Sequence, residues 1–326
     1  MFRKFIATAL CLAMPTLAHA QACGSVNLLE TLSETDAKRL EALVAPHPYP
    51  NGITFKAEKP GSTVTVIGTI HIPDPRLESI VEKVRADVTS ADVLILEATT
   101  EDQLGLQSLA TTEPELFFLT EGPTLIDLLS EEEWTSITDR LNAIGVPGFF
   151  AAKFKPWYLS LTLAIPPCLA TQMTTGAKGL DAQLEAIAID AGVPLATLDD
   201  VASLIGMMAG DPLDKQLEGL RIALELQGEG DDMTSTLIEN YFLGRVRETW
   251  ELGRIMIEDS GFENAGALFD EMDQALLVGR NTDWEPKIAE LVAGKDAVLA
   301  VGAAHLSGES GVLRALERAG YEVSTY

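Results

Sequence analysis

A chain of 326 residues with 49 acidic and 23 basic side chains carries a formal charge of −26, and such a surface repels nucleic-acid phosphates and anionic lipid. Its hydrophobic content of 47% supplies ample material for a packed core, and 26 glycines with 16 prolines do not amount to a low-complexity chain. Nucleic-acid binding and intrinsic disorder are thereby set aside, and a globular protein that attracts cations remains.

Arg3 and Lys4, a short apolar run and Ala18-His19-Ala20 form the pattern of a cleavable leader over residues 1–20. The run is too short for a stop-transfer helix. The mature protein, 21–326, is therefore expected in a periplasm or outside the cell, not embedded in the membrane. Cys11 leaves with the leader, so Cys23 and Cys168 remain as one pair in an oxidising compartment. Compartment and parity predict a disulfide between them; two unrelated thiols are the alternative.

Ser33-Glu34-Thr35-Asp36 starts a helix with Leu40, Leu43 and Val44 on one face, ended by Pro46, Pro48 and Pro50. Residues 63–68, β-branched and apolar throughout, read as a buried strand. After Pro75 an amphipathic helix carries Leu77, Ile80, Val81 and Val84, and residues 92–98 form the next buried strand. A strand, helix and strand in this order predict a parallel sheet. The middle reads as mostly helical. Ser130 and Glu133 make a capping box, Lys155-Pro156-Trp157 opens a helix that ends before Pro166, and 181–191 is helical. Residues 193–198 read as a strand, and 200–293 as several helices broken by the acidic stretch 228–233. A strand at 297–302, a helix at 310–320 and a last strand close the chain. No shift in composition marks a linker, so one α/β domain with a helical middle insertion is expected.

The two ends of the chain share a pattern. Val66-Ile67-Gly68-Thr69-Ile70-His71 and Ala300-Val301-Gly302-Ala303-Ala304-His305 each run from a buried strand through Gly-x-x-His toward a helix. Both histidines thus fall just past the carboxyl end of a strand, the edge at which open α/β sheets bind ligands. The glycines permit either a sharp turn or the close approach of another group. Outside the leader there is just one further histidine, His47. Two imidazoles make part of a metal site, and a carboxylate commonly completes it. Glu97, at the end of the apolar run 93–96, is the candidate; a charge there is costly unless it meets a cation or donors. A metal-bound water at this edge would become a nucleophile at neutral pH, with Glu97 as ligand or as general base. The bland readings are a hydrogen-bonded loop histidine and a glutamate paired with an arginine.

These residues resemble those of the TraB/GumN family, which is related to the TIKI-type metal-dependent proteases. The resemblance lies in G-T-I-H at 68–71, I-L-E at 95–97 and G-A-A-H-L-S-G at 302–308, with K-P-W at 155–157, K-G-L-D at 178–181 and R-N-T-D-W at 280–284. It implies an EreA/ChaN-like α/β fold: a mixed, largely parallel central sheet flanked by helices, in two pseudo-symmetric halves that face each other across a metal site. It implies His71, His305 and Glu97 as the functional core, a divalent ion (Mn, Co or Zn) and peptide hydrolysis. The chain departs from the family's pattern at Leu198-Asp199-Asp200, where Leu-Glu-Thr is expected. Arg280 and Asn281 resemble a clamp for a substrate carboxylate, since a guanidinium suits a planar bidentate partner. Arg280 pairing Glu97 or capping a strand is an equal alternative. Asp181 is either a further ligand or a helix N-cap. The leading expectation is a metal-dependent hydrolase acting on a peptide. The runner-up is a non-enzymatic binding or regulatory protein that captures a peptide, small molecule, haem or metal ion. The third is a structural protein whose histidines only brace loops.

Overall fold

The computed structural model describes residues 23–174, 176–225 and 230–326. The leader 1–20 and the start of the acidic stretch at 228 lie outside the described residues.

Six strands form one sheet: β1 (Thr54–Lys59), β2 (Ser62–Thr69), β3 (Val93–Leu96), β4 (Leu195–Thr197), β5 (Asp296–Gly302) and β6 (Glu322–Thr325), in the order β4-β3-β5-β2-β1-β6. β2 and β3 both run parallel to β5, and β4 runs parallel to β3. β1 runs against both β2 and β6. Five strands therefore share one direction and β1 alone opposes it, a mixed and largely parallel sheet.

Side-chain alternation explains why helices cover both faces. In β5, Ala297, Leu299 and Val301 point to a core that also holds Trp284 and Ile288 of the helix Gly279–Leu291 and Val312, Leu313 and Leu316 of the helix Val312–Arg318. Val298 and Ala300 point the other way, toward Leu77, Val81, Val84 and Val88 of the helix Leu77–Ser90 and Leu180, Leu184 and Ala188 of the helix Leu180–Ala191. From β2 the chain crosses one face to β3; from β5 it crosses the other face to β6. The central pair β2–β5 is thus the point where the winding reverses, and the crevice outside its carboxyl ends is where open α/β sheets take ligands.

The helical middle carries cores of its own. One gathers Leu125, Ile137, Leu141, Leu159 and Leu220; another packs Phe117 and Trp157 with Ile205 and Ala209. Lys155-Pro156-Trp157 opens the helix Pro156–Leu163 as a structural element: Pro156 sits in its first turn and Trp157 donates to Leu116 O at 3.0 Å. Cys23 and Cys168 form a disulfide across 145 positions. None of the helices described is long and apolar enough to cross a membrane.

β1 is absent from the sequence expectation. Lys56, Glu58 and Lys59 interrupt any apolar run, yet Phe55 and Ala57 alternate with them and are fully buried. The period of two was present in the sequence, and charged residues on the open face masked it.

Candidate functional site

Four strand ends meet at the carboxyl edge. The register pairs Thr69 with Gly302 and Leu96 with Ala300, so His71, Glu97 and His305 leave neighbouring strands on one side of the sheet. Asp199, just past β4, joins them; its backbone N–H donates to Glu97 O at 3.0 Å.

His305 is 4% exposed, its ring 4.4 Å from that of Trp284. Asn281 Nδ2 lies 3.4 Å from His305 O, which leaves Asn281 Oδ1 to accept from Nδ1–H at 2.7 Å. Nε2 is then the bare nitrogen, and Arg280 donates to it at 3.1 Å. Burial, with Arg280 and His71 acting in the same sense, lowers the His305 pKa to about 4 against the pull of Glu97. At neutral pH this ring is uncharged.

Glu97 uses both carboxylate oxygens. Oε1 accepts from Gly302 N–H at 2.6 Å and stands 3.8 Å from His305 Nε2, while Oε2 accepts from Arg280. Burial would raise its pKa; His305, Arg280 and the Gly302 amide outweigh that and hold it below the usual carboxylate range. Arg280 also donates to Asp199, whose other oxygen accepts from Trp284 Nε1 at 2.6 Å. Its guanidinium stacks 4.7 Å from the Trp284 ring. Burial opposes its charge, but Asp199 and Glu97 raise its pKa overall. The pairing of Arg280 with Glu97, one of two readings open from the sequence, is realised here.

His71 is held from the opposite face. Its side chain is 68% exposed, and Nδ1 lies 3.0 Å from Asp181 Oδ1, which raises its pKa. Asp181 is not an N-cap: Gly179 occupies that position without a side-chain cap. The glycines of the paired motif serve close approach rather than turning. A Cβ on Gly68 would stand 2.8 Å from Leu306 Cδ1, and one on Gly302 2.9 Å from Glu97 Oε1.

A divalent metal asks for imidazole nitrogens free of protons. Both histidines turn Nδ1 to a protein oxygen, an arrangement typical of metal-ligating rings, so the donor chemistry fits His71, His305 and Glu97. Among the described residues, however, no three His, Cys, Asp or Glu side chains close into a group that would hold an ion. Arg280, bonded to Glu97 and to His305 Nε2, supplies the positive charge there.

Two site residues were not singled out as candidates from the sequence. Asp199, noted only as part of a departure from the family's pattern, follows the predicted strand 193–198 at the same edge as Glu97, so the logic that selected Glu97 would have found it. Trp284 was visible only as part of a motif. Its partners, Asp199 and His305, are 85 and 21 positions away, beyond any local pattern.

The fold and the site define a doubly wound α/β protein with a histidine, carboxylate and arginine cluster at its switch point. The sequence model of the TraB/PrgY/gumN family matches residues 53–325, and the chain belongs to that family. No curated protein matches it.

Proposed function

We propose that the protein is an exported metal-dependent hydrolase that acts on peptides, with His71, His305 and Glu97 as the residues that hold a divalent ion (Mn, Co or Zn). The observation that carries the reading is the strand register: β2 and β5 run side by side and bring His71 and His305, more than two hundred positions apart in the chain, to one edge of the sheet, where Glu97 Oε1 stands 3.8 Å from His305 Nε2. When bound, the ion would supply Lewis acidity and a water of lowered pKa. The chain's own residues do the rest. Asn281 keeps the proton of His305 on Nδ1, and burial keeps the ring neutral. Glu97, held ionised, offers Oε1 or Oε2 as ligand or as proton acceptor. Arg280 can hold a substrate carboxylate or an oxyanion as charge develops. The leader pattern and the disulfide support export.

The second reading, capture of a peptide, small molecule, haem or metal ion without turnover, is favoured by one observation. Arg280 already satisfies Glu97 and His305 Nε2, and a site so occupied is poised to bind rather than to react. Metal analysis of the purified protein and a peptide-cleavage assay on wild type, His71→Ala and His305→Ala separate the two. The hydrolase reading expects roughly one ion per chain, and cleavage that falls by at least about a hundredfold in either variant. A folded, metal-loaded wild type that binds peptide without cleaving it would leave the capture reading.

A further inference from the structure

We propose that Asp181 is the positioning residue of His71: its carboxylate fixes the imidazole proton on Nδ1 and so presents Nε2 as the working nitrogen toward the cleft. The inference rests on the proposed function for its purpose, but its geometry stands alone.

Asp181 Oδ1 is buried and makes no well-aligned hydrogen bond in the described structure. A buried carboxylate oxygen in that state is costly, and His71 Nδ1 at 3.0 Å is a donor within reach. The pairing is built into the backbone. Leu180 N–H donates to Ile70 O at 2.9 Å, which ties the first turn of the helix Leu180–Ala191 to the residue before His71. Gly179 lets the two backbones touch, since a Cβ there would stand 2.6 Å from His71 Cα, C and O. Tyr241 Oη donates to Gly68 O at 2.8 Å and fixes the strand end on the same side. The helix start therefore cannot slide relative to His71 without breaking these contacts.

On the other face, Asn281 does for His305 what Asp181 does for His71. Both rings turn Nδ1 inward to an oxygen on a flanking helix. The two acceptors differ in kind: His71 faces a carboxylate and is exposed, whereas His305 faces an amide and is buried. The proton position on an imidazole follows the hydrogen bond its other nitrogen makes, so these acceptors, not the motif itself, select the nitrogens that face the cleft.

The test uses the full-length mature protein labelled with nitrogen-15 at histidine, at a pH where the rings are neutral. With three histidines in residues 21–326, His71→Gln assigns the signal. Two-bond nitrogen–proton correlations then read the tautomer. The expected result is an Nδ1–H tautomer for His71 in the wild type, with that population falling in Asp181→Ala. An Nε2–H tautomer in the wild type overturns the proposal, and so does an unchanged tautomer in a folded Asp181→Ala. If that variant does not fold, the wild-type spectrum still decides. A second arm measures Mn(II) affinity by calorimetry, where Asp181→Ala is expected to bind roughly 10- to 100-fold more weakly. Equal affinity in the two proteins would count against Asp181. A wild type that takes up no metal would defeat the hydrolase reading, while the tautomer result would still judge Asp181.

Discussion

His47 lies outside the strand-edge cluster and is a built-in acid sensitivity. Its Nδ1 meets Arg247 Nη2 at 2.7 Å, and since a guanidinium can only donate, Nδ1 accepts and the proton sits on Nε2, 3.5 Å from Glu251 Oε1. Burial first, then Arg247 and Arg254, lower the His47 pKa, against Asp273. At about pH 7.5, a unit above the ordinary histidine value, the ring is neutral in folded and unfolded chain alike. As pH falls below that value the unfolded chain takes the proton first, so folding stability declines with acid. Glu251, raised chiefly by burial, has the opposite sign: acid relieves its penalty, nearer to the ordinary carboxylate range. His47→Gln should therefore flatten the loss of stability between about pH 7.5 and 5.5, read as urea midpoints. A slope equal to that of the wild type would show that this ring does not drive the acid limb. At the candidate site, Asn281→Ala removes the acceptor for the buried His305 Nδ1–H. An unpaired buried donor costs about 1–3 kcal/mol, so urea unfolding should register a loss of that size. No loss would mean that His305 finds another partner.

At the scale of elements, two glycines in different settings give opposite expectations. Gly302 ends β5 with φ −49° and ψ 133°, a conformation open to alanine, but its added Cβ would stand 2.9 Å from Glu97 Oε1. Glu97 is pinned by Arg280 and by the Gly302 amide and has little room to yield. Gly302→Ala should cost about 1–3 kcal/mol, the usual range for overpacking. Gly206, inside the helix Val201–Gly210, has nothing within 4 Å of its would-be Cβ. Gly206→Ala should stabilise by about 0.5–1 kcal/mol through helix propensity. Thermal unfolding of the pair checks both: a neutral or stabilised Gly302→Ala would refute the steric argument, and a destabilised Gly206→Ala the propensity argument. The same local logic explains what could be read beforehand. β2, β3 and β5 are continuous apolar runs between turn residues, and Ser33 caps its helix through Asp36 N–H at 3.1 Å as the motif requires. Position at the end of such runs sufficed to single out His71, Glu97 and His305. The partners were not legible, because Asp181 reaches His71 across 110 positions and Asp199 reaches Arg280 across 81. Those contacts are set by which face each helix covers, and crossover handedness, not local sequence, decides that.

The whole molecule is held at two levels, a sheet with helices on both faces and a helical middle with separate cores, and the N-terminal arm is tied to the middle. Ser25 and Val26 N–H both donate to Asp232 Oδ1, at 2.9 and 3.1 Å, and Leu28 N–H donates to Thr236 Oγ1 at 2.8 Å. These bonds bring the arm onto the helix Gly230–Phe242, while the disulfide brings it onto the helix Pro167–Thr174. One covalent link thus closes a loop of 145 positions that contains β1, β2, β3 and the first helices of the helical middle. By chain entropy a loop of that length is worth about 5 kcal/mol, with native strain reducing the figure. Helix Pro167–Thr174 leads within a few residues to Gly179 and Asp181, so loosening it also loosens the support of His71. Cys23→Ser with Cys168→Ser, or a reductant, should lower the melting temperature by roughly 10 °C. The strand-edge contacts of His305 belong to the sheet and the helix Gly279–Leu291, and they should persist. Calorimetry with and without reductant reads the first effect, and the nitrogen-15 signal of His305 reads the second. If the melting temperature does not move, the arm is held by its hydrogen bonds alone; if the His305 signal shifts with the disulfide, the middle and the sheet respond as one body.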